Sequence, residues 1–133
     1  MKHRTVGRVP GAGKLLKRKL LVSITMGNAK AIDLFVFNPK TDKTFTVQVK
    51  TLRTKNYFPI KREKIKTDCV YVFVVLNRDE QDEEYFIVPG DTINKDVGLF
   101  FGTSYAREKP STFPGINYSP LKPFKNNWSL FEK

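Results

Sequence analysis

Ile32-Asp33-Leu34-Phe35-Val36-Phe37-Asn38, the turn Asn38-Pro39-Lys40-Thr41-Asp42-Lys43, and the return Thr44-Phe45-Thr46-Val47-Gln48-Val49-Lys50 together decide the fold. The outer segments are rich in strand formers and the middle one holds the Asn, Pro and Asp that reverse a chain, so the stretch reads as a β-hairpin. The return strand sets Thr44, Thr46, Gln48 and Lys50 strictly against Phe45, Val47 and Val49, which gives it one chemical face and one core face. Residues two apart on a strand share a face, so Asp33 goes with Phe35 and Phe37. Pairing through the turn brings the start of the first strand to the end of the second, where Asp33, Gln48 and Lys50 converge. A carboxylate among Ile, Leu, Phe and Val is costly to bury unless it is paired or binds a metal. Two explanations fit: an Asp33–Lys50 ion pair that braces the hairpin, or a cluster built for chemistry.

Upstream, Leu20 to Met26 reads as a strand ended by the Gly27-Asn28 turn, and a short basic helix is expected from Gly11 to Lys19 with Pro10 near its start. Downstream, Thr51 to Lys66 suits a loop followed by a short helical turn over the sheet. The continuous apolar stretch from Asp68 to Leu76 reads as a central strand covered on both faces. Arg78 to Glu84 reads as a solvated turn, Tyr85 to Val88 as a further strand ended by Pro89-Gly90, and Thr92 to Phe101 as a helix. The segments 1–10 and 102–133 are expected to be irregular, with Trp128, Leu130 and Phe131 docking the tail onto the domain. The chain as a whole is expected to form one domain of α/β class, with a central mixed sheet of about four to five strands flanked by helices.

Charge is segregated within a net +11. No carboxylate occurs from Met1 to Ile32, where Lys14, Lys17, Arg18, Lys19 and Lys30 are among the basic residues. A second basic group holds Arg53, Lys55, Lys61, Arg62, Lys64 and Lys66, while acids gather between Asp79 and Glu84. A field of this kind attracts polyanions through counterion release and points to nucleic acid, with solubility alone as the plainer explanation. The longest apolar run, Val70 to Leu76, is far short of the roughly 20 residues that span a bilayer as a helix. Cys69, the sole cysteine, cannot form an internal disulfide, and no signal-peptide pattern is present, so a cytoplasmic setting is expected.

Lys30-Ala31-Ile32-Asp33-Leu34-Phe35-Val36 followed by Thr44-Phe45-Thr46-Val47-Gln48-Val49-Lys50-Thr51 resembles the motif of PD-(D/E)XK nuclease-like proteins, in which an Asp precedes an acidic-X-Lys triplet across a hairpin. The triplet here is Gln48-Val49-Lys50, and the order of elements from Gly11 to about Phe101 also resembles that family's restriction-endonuclease-like core. The resemblance implies Mg²⁺-dependent hydrolysis of phosphodiester bonds in DNA, with Mn²⁺ as a substitute, in a homing, restriction-like or junction-resolving role and as a homodimer. It also implies that Asp33, Gln48 and the Val49 carbonyl hold the metal and that Lys50 supports the attack. The chain departs from the pattern twice. Gln48 stands where a second carboxylate is usual, as in some homing and restriction members, and no acid precedes Asp33, although many members use a Glu on the first helix. A fold of this kind that binds nucleic acid without cutting it is the alternative.

Other signals carry less. Gly7 to Lys14 lacks the spacing of a phosphate-binding loop and has Leu15 where Ser or Thr is needed. His3 is the sole histidine, which disfavours His-based catalysis. Cys69 opens an apolar strand and reads as a buried structural thiol. Tyr57 and Phe58 lie between basic residues and could stack on bases, although Pro59-Ile60 beside them suits core.

Overall fold

The seven residues Cys69–Val75 are buried without exception, and this strand is the axis on which the rest of the molecule is laid. In the computed structural model, residues 11–25, 32–53, 57–76, 83–102 and 114–133 are described, Ile32, Asp33 and Tyr57 by backbone alone. The chain runs through α1 (Ala12–Lys17), β1 (Leu21–Thr25), β2 (Ile32–Asn38), β3 (Lys43–Leu52), β4 (Tyr57–Pro59), a 3-10 turn (Arg62–Lys64) and β5 (Cys69–Val75). It continues through β6 (Glu84–Pro89), α2 (Gly90–Lys95), α3 (Val97–Phe101), β7 (Gly115–Asn117) and the 3-10 segments Ser119–Phe124 and Trp128–Glu132.

The fold is α/β, with a central mixed sheet of five strands in the order β1-β2-β3-β5-β6. Neighbours are antiparallel except β3 and β5, which run parallel. A parallel pair requires a crossover. This one carries β4 and the 3-10 turn, and β4 pairs with β7 in a separate two-stranded ribbon.

Alternation along β3 divides the core in two. Val47 and Val49 join Leu34, Val36, Val70, Val72 and Val74 on one face, covered by Leu15 of α1 and by Trp128 and Phe131 of the tail. Tyr71, Phe73 and Val75 join Phe86 and Val88 on the other, covered by Phe58 of β4, Ile93 of α2, Phe100 and Phe101 of α3, Ile116 of β7 and Leu121. Each fully buried Val, Leu or Phe contributes about 1.5–3 kcal/mol. The tail passes from the second face to the first around β6: Phe86 bridges Lys125, the Asn126 N–H donates to the Tyr85 carbonyl at 2.8 Å, and Asn127 Nδ2 donates to the Ile87 carbonyl at 3.3 Å. Trp128 then packs on Tyr85, and Phe131 meets Phe45 edge-on with ring centroids 5.2 Å apart.

Four readings change. The helix expected over Thr92 to Phe101 starts at Gly90 and is two helices, because Asp96 leaves helical geometry (φ −142°, ψ 62°) and its carbonyl restarts the chain by accepting from the Leu99 and Phe100 N–H groups. The expected loop from Thr51 contains a strand, β4, and the tail supplies its partner, β7. Glu84 is not in a solvated turn but opens β6, buried, accepting from the Tyr118 hydroxyl at 2.6 Å. Phe58 is core and not a base platform: it is 2 % exposed, with its ring centroid 4.9 Å from that of Phe73.

Candidate active site on the uncovered half of the sheet face

The hairpin turn is locked by its own first residue. Asn38 is buried, its Oδ1 accepts from the Lys40 N–H at 2.9 Å, and its carbonyl accepts from the Asp42 N–H at 2.8 Å. Its Nδ2 donates to the Phe131 carbonyl at 2.9 Å. Asp42 closes the reversal at φ +60°, a conformation that Asp tolerates better than most side chains. A turn so fixed sets the register of β2 on β3. Asp33 pairs with Gln48, and the ladder extends the row on both sides, Thr25 beside Asp33 and Tyr71 beside Gln48. Residues paired across strands share a face, so Thr25, Asp33, Gln48 and Tyr71 form one line across β1, β2, β3 and β5. Lys50 lies on that face two residues along β3, paired with Phe73.

Among the described residues, this face is covered over β5 and β6 and open over β1 to β3. Ser23 and Thr44 are exposed, Phe35 is 42 % exposed, and Thr46, Gln48 and Lys50 are half-buried. The crossover forms the wall between the two halves. Its apolar residues Ile60 and Ile65 are buried in the second core, while Arg53, Lys61, Arg62, Lys64 and Lys66 are exposed. The Tyr71 hydroxyl accepts from the Lys66 N–H at 2.8 Å and donates to the Lys64 carbonyl at 3.2 Å. Asn94 Nδ2 donates to the Ile65 carbonyl at 3.1 Å. Gly90 lies directly against the same segment, since a Cβ there would stand 1.9 Å from the Lys66 carbonyl oxygen.

The two basic groups of the sequence therefore part company. Lys61, Arg62 and Lys64 lie on the crossover, whose Ile60 and Ile65 are buried in the core on the side of Gln48 and Lys50, while Arg53 follows the end of β3, one step out of the row that holds those two residues. Lys14, Lys17, Arg18 and Lys19 belong to α1 and its exit, and α1 packs Leu15 into the opposite core, with Val47 and Val49. Arg18 is further engaged with Glu132 at 3.0 Å. Lys30 and Lys55 lie outside the described residues. A one-dimensional pattern cannot show on which side of a sheet a helix will sit, so charge clustering alone grouped residues that the sheet separates.

By residue type, the paired positions Asp33 and Gln48 bring a carboxylate and an amide to one register row, with the Val49 backbone carbonyl next in the chain, and oxygen donors of this kind suit a hard cation. Among the described residues, no group of three or more His, Cys, Asp and Glu could hold a metal. This donor set fits Mg²⁺, which is commonly bound through one or two carboxylates and keeps several of its waters. Cys69 is buried, and among the described residues no helix is long and apolar enough to cross a membrane.

Tyr71, Asn94 and Gly90 escaped the sequence reading. Tyr71 was hidden in a run of strand formers, yet a tyrosine in a strand buried on both faces needs a partner for its hydroxyl, and that need was the available signal. Gly90 stood out only as a stop after Pro89. Compared with protein-family models, curated proteins and solved structures, the chain matches none.

Proposed function

We propose that this chain is a cytoplasmic, Mg²⁺-dependent DNA endonuclease that hydrolyses phosphodiester bonds, in a homing, restriction-like or junction-resolving role, with a homodimer addressing both strands. One observation carries the reading: Asp33 and Gln48 are register partners, with Lys50 two residues further on the same face, on the half of the sheet that is uncovered. A bracing ion pair needs neither an uncovered face nor the basic crossover of Lys61, Arg62 and Lys64 on the same side of the sheet. The resemblance of Asp33 and Gln48-Val49-Lys50 to the PD-(D/E)XK motif agrees with this assignment, as does the sequence of an antiparallel β1-β2-β3 meander and a parallel crossover to β5.

In this mechanism Asp33, the Gln48 amide oxygen and the Val49 carbonyl would hold the cation, which would supply polarisation of the phosphoryl group and stabilisation of developing negative charge. Lys50 forms no ion pair with a described residue, and its ammonium is set to stabilise the charge that grows on the attacked phosphate. Gln48 orients water through its amide without taking a proton. The basic wall neutralises flanking phosphates and supplies sequence-independent affinity.

A second reading has a specific observation behind it. Gln48 is neutral, and no acidic cluster exists among the described residues, so the same surface is also suited to a module that binds nucleic acid without cutting. Plasmid, linear and branched DNA incubated with the protein in Mg²⁺, in Mn²⁺ and in EDTA separates the two. The endonuclease cuts only with metal, and Asp33→Ala and Lys50→Ala each abolish cutting while leaving the circular dichroism spectrum unchanged. Cutting retained in Asp33→Ala would sink the assignment, and salt-sensitive binding without any cutting selects the binding module.

A further inference from the structure

We propose, on the basis of the nucleic-acid reading above, that residues 61–66 form a preset phosphate-binding turn and that Tyr71 is its positioning residue. Three successive residues of this segment are fixed by their backbone atoms. The Lys64 carbonyl and the Lys66 N–H are both bonded to the Tyr71 hydroxyl, and the Ile65 carbonyl accepts from Asn94 Nδ2. The Ile65 side chain is a buried plug, and the Lys66 carbonyl rests on Gly90. The restraints come from two directions, β5 below and α2 alongside.

The side chains of the same segment do the opposite. Lys61, Arg62, Lys64 and Lys66 are exposed, as is Glu63, the one carboxylate of the segment, which leaves it a net charge of +3, and none of the four cations forms an ion pair with a described residue. Cations placed for solubility require no immobilised backbone. Cations that set a nucleic-acid strand in register do, because phosphate contacts fix position and a preordered binding segment loses less entropy on association. Tyr71 also sits beside Gln48 in the sheet ladder, with neighbouring strands about 4.8 Å apart. One residue thus ties the grip on the backbone to the row that holds Asp33 and Gln48. The partner chemistry is a phosphodiester backbone, read without regard to base sequence.

The test is binding of a fluorescein-labelled DNA duplex across a salt series in EDTA, which excludes cleavage. Each phosphate contact adds about 0.9 to the slope of log affinity against log salt. Wild type binds with a steep slope, and Lys61→Ala/Arg62→Ala/Lys64→Ala lowers that slope by about 2 to 3. Tyr71→Phe, which keeps the ring and removes the hydroxyl, lowers the slope by about 1 or more. Added to the triple variant, in which Lys66 alone of the four cations remains, it lowers the slope by well under 1. Asn94→Ala, which releases the same turn from α2, reproduces the loss and carries the test if Tyr71→Phe fails to fold. No salt-sensitive binding by wild type overturns the nucleic-acid reading and this inference together. Wild-type binding that the triple variant leaves intact overturns the turn alone. A Tyr71→Phe effect of equal size in both backgrounds, or no effect of Tyr71→Phe and Asn94→Ala, overturns the positioning role.

Discussion

Gly90→Ala tests the packing of the crossover against α2 with a single added carbon. That carbon would stand 1.9 Å from the Lys66 carbonyl oxygen, 2.9 Å from its carbon and 3.0 Å from the Cys69 carbonyl oxygen, all backbone atoms that no rotamer change can remove. The segment around Lys66 must therefore lift. Overpacking of this kind costs about 1–3 kcal/mol. Lifting also breaks the two hydrogen bonds of the Tyr71 hydroxyl, each contributing about 1 kcal/mol, for a total of roughly 3–5 kcal/mol. With an unfolding entropy of about 2.1 cal/mol/K per residue over 133 residues, the melting temperature falls by roughly 11–18 °C. Thermal melts by circular dichroism read the shift. Gly98→Ala is the matched control, because a Cβ there meets nothing within 4 Å and alanine favours the helix, so that variant melts at the wild-type temperature or slightly above. A Gly90→Ala protein that melts within a degree or two of wild type refutes the packing argument.

Phe131→Ala removes a fully buried ring that packs edge-on against Phe45, and urea denaturation is expected to show a loss of about 3–5 kcal/mol. Tyr118 gives an alkaline prediction. Withdrawal of its hydroxyl from water, its hydrogen bond to Glu84 and the charge of that carboxylate, in that order, push its pKa up to about 12 from the ordinary tyrosine value of 10.0. The folded protein then holds this proton more tightly than the unfolded chain, so the stabilisation is intact below pH 10 and falls as pH rises toward 12. Tyrosinate absorbance should place this group in that window, and Tyr118→Phe should flatten the corresponding part of the stability profile. A Tyr118 that titrates with the unfolded tyrosines contradicts the contact with Glu84.

The elements with strong local pattern were legible. Strict alternation in Thr44–Lys50 announced both the strand and its two faces, the Asn38-to-Lys43 turn announced the reversal, and the apolar run after Asp68 announced a strand buried on both sides. The pairing of Asp33 with Gln48 followed from the same turn, because a hairpin fixes register locally. What stayed hidden depended on contacts distant in sequence. Tyr57–Pro59 is a strand only because Gly115–Asn117 lies beside it, and a three-residue segment carries no periodicity of its own. The burial of Glu84 depends on a tertiary partner, Tyr118, in the same way. The division of the basic residues between two faces required knowing that α1 packs over Val47 and Val49, information absent from any window of the chain.

The tail that wraps β6 also decides how this sheet can meet other chains. An unpaired strand edge is a template onto which a foreign strand can add, the first step of strand exchange and of fibril growth. At β6 the bridge from Lys125 and the hydrogen bonds from Asn126 and Asn127 take up outward-facing backbone groups, and the edge is capped. At the other end, β1 pairs with β2 on one side and has no further partner among the described residues, and its five residues, Leu21-Val22-Ser23-Ile24-Thr25, bear no charge. Among the described residues, β1 is thus the edge left for an added strand, and loss of the tail would open a second one at β6.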